Sequence, residues 1–150
     1  GAPLESFGFL FGPNQPFGVE ASARIFATRV GRKFPTFGLG LNGASGYRLQ
    51  VAAAKNTVEL LRGDAVVASA PFSWKTGVWT HLKLSLRKTG EAAFRLEGTV
   101  WPADADAPSA PTVTFDETKV QPAGKASVWG LPFSGTPIRF DDLSVAKLAS

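Results

Sequence analysis

The 150-residue sequence has no cysteine, no methionine, one histidine and one tyrosine. Without cysteine there is no disulfide, no thiol nucleophile and no zinc–thiolate site. With His81 as the one imidazole, a serine hydrolase would have to use it as the base, and no Gly-x-Ser-x-Gly turn marks a nucleophile. A His-Glu-x-x-His helix, a P-loop and a Gly-x-Gly-x-x-Gly turn are missing too. No apolar run is long enough to span a bilayer, and no signal peptide is visible. The chain starts Gly1-Ala2-Pro3-Leu4, without an initiator methionine. It is therefore expected to be one domain, residues 1–150, trimmed from a longer exported protein of the periplasm, cell surface or extracellular space.

Against these absences stand 12 Phe, 4 Trp, 16 Gly and 11 Pro. So many turn formers argue against a helical bundle and suit a sandwich of short strands. The aromatic residues require a core or a binding face. The net charge is +4, but the basic residues are scattered. Their densest stretch, Arg29-Val30-Gly31-Arg32-Lys33, reads as a solvated loop and not as a stripe that follows phosphates, so nucleic acid is not expected as a partner.

The dominant period is two. Phe17, Val19, Ala21, Ala23 and Ile25 share one face and Glu20, Ser22 and Arg24 the other, as in a half-buried antiparallel strand. Thr36 to Asn42 alternates through Phe37, Leu39 and Leu41. From Trp79 to Arg87, Leu82, Leu84 and Leu86 point one way and His81, Lys83, Ser85 and Arg87 the other. From Ala92 to Trp101, Phe94, Leu96 and Val100 oppose Arg95, Glu97, Thr99 and Trp101. Pro137 to Ala146 supplies a closing strand.

Gly63-Asp64 reads as a hairpin tip, with further turns at Asn42-Gly43, Ser45-Gly46 and Thr89-Gly90. Leu49 to Arg62 contains helix formers such as Ala52-Ala53-Ala54, but is read as two strands with a bend at Lys55-Asn56. Trp101 to Pro122 is expected to be a long surface connection with a short strand at Thr112–Phe115. The count is ten to twelve strands, which predicts an all-β, two-sheet antiparallel sandwich.

Three stretches carry a family resemblance. Trp74-Lys-Thr-Gly-Val-Trp79-Thr-His-Leu-Lys-Leu84 resembles the Gly-x-Trp-x-x-Leu-x-Leu strand of the concanavalin A-like lectin/glucanase superfamily, including its laminin-G-like modules. Ile138-Arg-Phe140-Asp141-Asp142-Leu143-Ser-Val145 is similar to that superfamily's closing strand. Gly98-Thr99-Val100-Trp101-Pro102 is similar to a stretch in bacterial members. The resemblance implies a concanavalin A-like jelly roll with a ligand site on a concave sheet, and leaves open whether the chain is a lectin, a hydrolase or an interaction module.

Glycoside hydrolysis needs two carboxyl groups roughly 5–10 Å apart. None of Glu5, Glu20, Glu59, Glu91, Glu97 and Glu117 has a second acid two residues further on, and adjacent Asp141 and Asp142 are expected to face opposite ways. Acids from separate strands, Glu97 with Glu59 for instance, remain the route for an enzyme. No cofactor is expected. Asp104-Ala-Asp106-Ala-Pro-Ser109 offers oxygen ligands for calcium, without the glycine and distal glutamate of a dedicated loop. Arg62-Gly63-Asp64 matches an integrin-recognised tripeptide, but hairpin chemistry already accounts for it.

The leading candidate site is a polar-aromatic face made by Arg95, Glu97 and Trp101 from one strand and His81 and Lys83 from another, with Arg48 and Trp129 joining it. Indole faces stack on sugar C–H surfaces while charged groups bond the hydroxyls. The chain is thus read as a non-catalytic carbohydrate-binding or adhesion module with a saccharide partner. The alternatives are a glycoside hydrolase and a structural module that packs on a neighbouring domain.

Overall fold

Apolar–polar alternation along the sequence becomes inside–outside alternation in space. The computed structural model describes residues 7–11, 18–29, 34–42, 46–118, 126–131 and 138–148, with only the backbone for 7–11 and 131. In chain order the strands are β1 (Phe7–Phe11), β2 (Val19–Phe26), β3 (Thr36–Leu41), β4 (Tyr47–Ala52), β5 (Thr57–Arg62), β6 (Ala65–Pro71), β7 (Thr80–Gly90), β8 (Ala93–Pro102), β9 (Val113–Glu117), β10 (Ala126–Leu131) and β11 (Arg139–Lys147). They form a six-stranded sheet in the order β1-β10-β3-β4-β5-β6 and a five-stranded sheet in the order β11-β2-β7-β8-β9. Every pairing is antiparallel. The molecule is an all-β jelly-roll sandwich.

The inner faces supply the core. β2 sends in Val19, Ala21, Ala23 and Ile25, and β7 sends in Leu82, Leu84 and Leu86. These meet Phe37, Leu39 and Leu41 of β3 and Tyr47, Leu49 and Val51 of β4 from the opposite sheet. Burial of each such leucine stabilises the sandwich by about 1.5–3 kcal/mol, which exceeds anything the exposed charges contribute. The apolar faces therefore set which side of each strand is left for solvent. Gly98 lets the sheets approach closely, since a Cβ there would lie 2.5 Å from Leu49 Cδ1.

A polar tie also crosses between the sheets. Glu117 of β9 is buried at 4% exposure, accepts a hydrogen bond from the Tyr47 hydroxyl at 3.0 Å and lies 3.0 Å from Arg62 Nε. A buried carboxylate needs such partners to remain charged.

The Leu49–Arg62 segment is two strands joined by a 3-10 turn at Ala53–Lys55, and Asn56 takes a left-handed conformation (φ 54°) where the chain reverses. Its alanines therefore make one helical turn before strand pairing takes over. Gly63 has φ 60° at the β5–β6 hairpin tip. The turn expected at Thr89-Gly90 lies further on: β7 runs through Gly90, which pairs with Ala93. Phe17, Gly43, Ser45 and Val30 to Lys33 lie outside the described residues.

Candidate functional site

The solvent face of the five-stranded sheet is organised in rows that run across its strands. Antiparallel register places Arg139 beside Phe26 near one end, and Trp79, one residue ahead of β7, packs against Phe26. The Phe26 and Trp79 ring centroids are 5.4 Å apart, and the Arg139 guanidinium lies 5.8 Å from the Phe26 ring. The next row is Asp141, Arg24, His81 and Trp101 on β11, β2, β7 and β8. In it the His81 and Trp101 rings stack with centroids 4.9 Å apart and planes 10° apart. Arg24 reaches across to Trp79, 5.0 Å from the ring.

Beyond these rings the face is polar. Ser144, Ser22, Lys83 and Thr99 form a row, with Ser22 Oγ and Ser144 Oγ 2.6 Å apart. Lys83 Nζ lies 5.9 Å from the Trp101 ring and 3.4 Å from Glu20 Oε1. Arg87 Nε bonds Glu97 Oε1 at 3.0 Å and Arg95 Nε bonds Asp116 Oδ1 at 3.2 Å. Such cross-strand pairs contribute little stability each, about 0–1 kcal/mol at exposed positions. Their effect is to hold long side chains in place and to cancel charge. Arg24, Lys83, Arg87, Arg95 and Arg139 face Glu20, Glu97, Asp116, Asp141 and Asp142, so the described charges on this surface balance.

Asp141 and Asp142 depart from the expectation of opposite orientation. A bulge interrupts the β11–β2 register between Asp141 and Ser144, and Asp142 has φ 52°. That left-handed residue turns both carboxylates toward Arg24: Asp141 Oδ2 is 2.7 Å from Nη2 and Asp142 Oδ2 is 2.8 Å from Nε. The Asp142 backbone N–H donates to Asp141 Oδ1 at 2.8 Å. This bond, followed by Arg24, holds the Asp141 carboxyl below its ordinary pKa. Burial, followed by the Arg24 guanidinium, holds His81 below its ordinary 6.5, against an opposing pull from Asp142.

No family model matches the sequence, and no curated protein matches it significantly. Solved structures do match. A protein of unknown function with a galectin-like fold from Bacillus subtilis aligns over 97% of this chain and 79% of its own, with TM-score 0.68 and 11% identity. Galectin-Va of Xenopus laevis aligns over 96% of this chain and 98% of its own, with TM-score 0.50 and 16% identity. The sandwich is galectin-like. At these identities the likeness is one of fold, and it agrees with the jelly-roll sandwich that the Trp79, Trp101 and Phe140 stretches imply.

Within the galectin-like sandwich, Trp101, Glu97, Arg95, His81 and Lys83 share one surface. Arg48 and Trp129 do not join them. β4 and β10 belong to the six-stranded sheet, so these two side chains project from the opposite side of the molecule. There the Arg48 guanidinium lies 5.0 Å from the Trp129 ring, and the indole covers Gly38, where a Cβ would come within 2.9 Å of Nε1. Beside them Gln50 Nε2 donates to Glu59 Oε1 at 3.0 Å.

Glu59 and Glu97 likewise sit on opposite outer faces, because their strand neighbours Leu60 and Leu96 both point into the core. That pairing of acids across one scissile bond is ruled out. Asp104 lies 3.6 Å from Lys75 Nζ. Among the described residues no three His, Asp or Glu side chains gather in a set able to hold a metal ion, and no helix is long and apolar enough to cross a membrane.

Four contributors went unrecognised in the sequence: Phe26, Trp79, Arg24 and Arg139. Period two already placed Trp79 with His81 and Lys83, and Phe26 with Arg24, so the signal for those was present. Arg139 needed knowledge of which strand borders β2.

Proposed function

We propose that this galectin-like sandwich is a non-catalytic carbohydrate-binding module that takes its saccharide on the outer face of the five-stranded sheet. The observation that carries the reading is the His81–Trp101 stack set next to the Phe26–Trp79 pair. These aromatic rings are half-buried, on a face rich in hydroxyl, carboxylate and guanidinium groups. His81 covers one face of the Trp101 indole, so a sugar C–H surface would take the remaining ring surface, and polar groups held by cross-strand bonds pair with hydroxyls at little ordering cost. The galectins among similar folds favour the same ligand class.

The charged groups argue against glycoside hydrolysis here. A general acid needs a carboxyl group whose pKa is raised, whereas Asp141 is held low. A glycan array read with the intact chain and with Trp101→Ala tests the reading. Array binding that falls about tenfold or more in the variant supports it. An empty array, or a profile identical in both proteins, ends it.

A further inference from the structure

We draw no further inference here: the strongest candidate, the outer face of the six-stranded sheet where the Arg48 guanidinium lies 5.0 Å from the Trp129 ring beside the Gln50–Glu59 hydrogen bond, carries none because nothing in the structure shows what covers it.

Discussion

The His81 imidazole and Trp101 indole lie face to face, with centroids 4.9 Å apart, and burial, followed by the positive field of Arg24, holds the imidazole pKa below its ordinary 6.5. His81 is therefore neutral at pH 7, and its protonation brings a cation against the indole. Trp101 fluorescence should change as pH falls through a midpoint below 6.5. The change should disappear in His81→Gln.

The same pair sets a stability window. A histidine whose folded pKa is depressed binds fewer protons in the native than in the unfolded state. Stability then declines as pH drops below the unfolded value of about 6.5 and stops declining once the folded value is passed. Urea titrations at pH 7.5 and pH 5 should show wild type losing more stability than His81→Gln across this interval. Asp141 acts lower on the scale: its depressed pKa supports stability above about 3.8, and that support fades as pH falls through its folded value. The excess stability of wild type over Asp141→Asn should shrink in that acid range.

Asp142 has φ 52°, a conformation that β-branched residues reject. Asp142→Val should lower stability by about 1–2 kcal/mol. Asp142→Gly should stay within about 0.5 kcal/mol, because relief of backbone strain offsets the loss of an exposed ion pair. Denaturant midpoints check the ordering, which a purely electrostatic role for Asp142 would not produce.

Arg62 and Glu117 join the sheets at 3.0 Å. Arg62→Ala removes one cation from the Glu117 carboxylate, which keeps the Tyr47 hydroxyl and the Thr118 backbone N–H, and should cost about 1–3 kcal/mol. Glu117→Gln in the same background should recover part of that loss, because it removes the charge while it keeps the shape. A double-mutant cycle measures the coupling.

Gly98 faces Leu49 across the core. Gly98→Ala should cost about 1–3 kcal/mol by overpacking, and Leu49→Ala should be less damaging in that background than alone. Thermal melts of the two single variants and the double test this.

β2, β7 and β8 were legible because one side of each strand meets the core and the other meets water, so hydrophobicity records orientation directly. The bend at Asn56 and the tip at Gly63 were legible because local backbone chemistry demands them. Sheet membership was not legible. Period two says which side of its own strand Trp129 occupies, but the sheet that β10 joins is decided by pairing with β1 and β3, far away in sequence. Arg48 and Trp129 were misplaced for that reason, while the Trp101 group, on strands adjacent in sequence, was placed together. The bulge at Asp142 escaped because an irregular strand leaves the same apolar pattern as a regular one.

That bulge links chain length to surface charge. Deleting one residue from a regular strand would swing every later side chain to the wrong side. In β11 the extra residue is what the irregularity accommodates, so deletion of Asp142 would leave Asp141 and Ser144 on the same side, at ordinary two-residue spacing. The sandwich would keep its core, and its outer face would lose one negative charge. At this position a deletion behaves as a charge substitution.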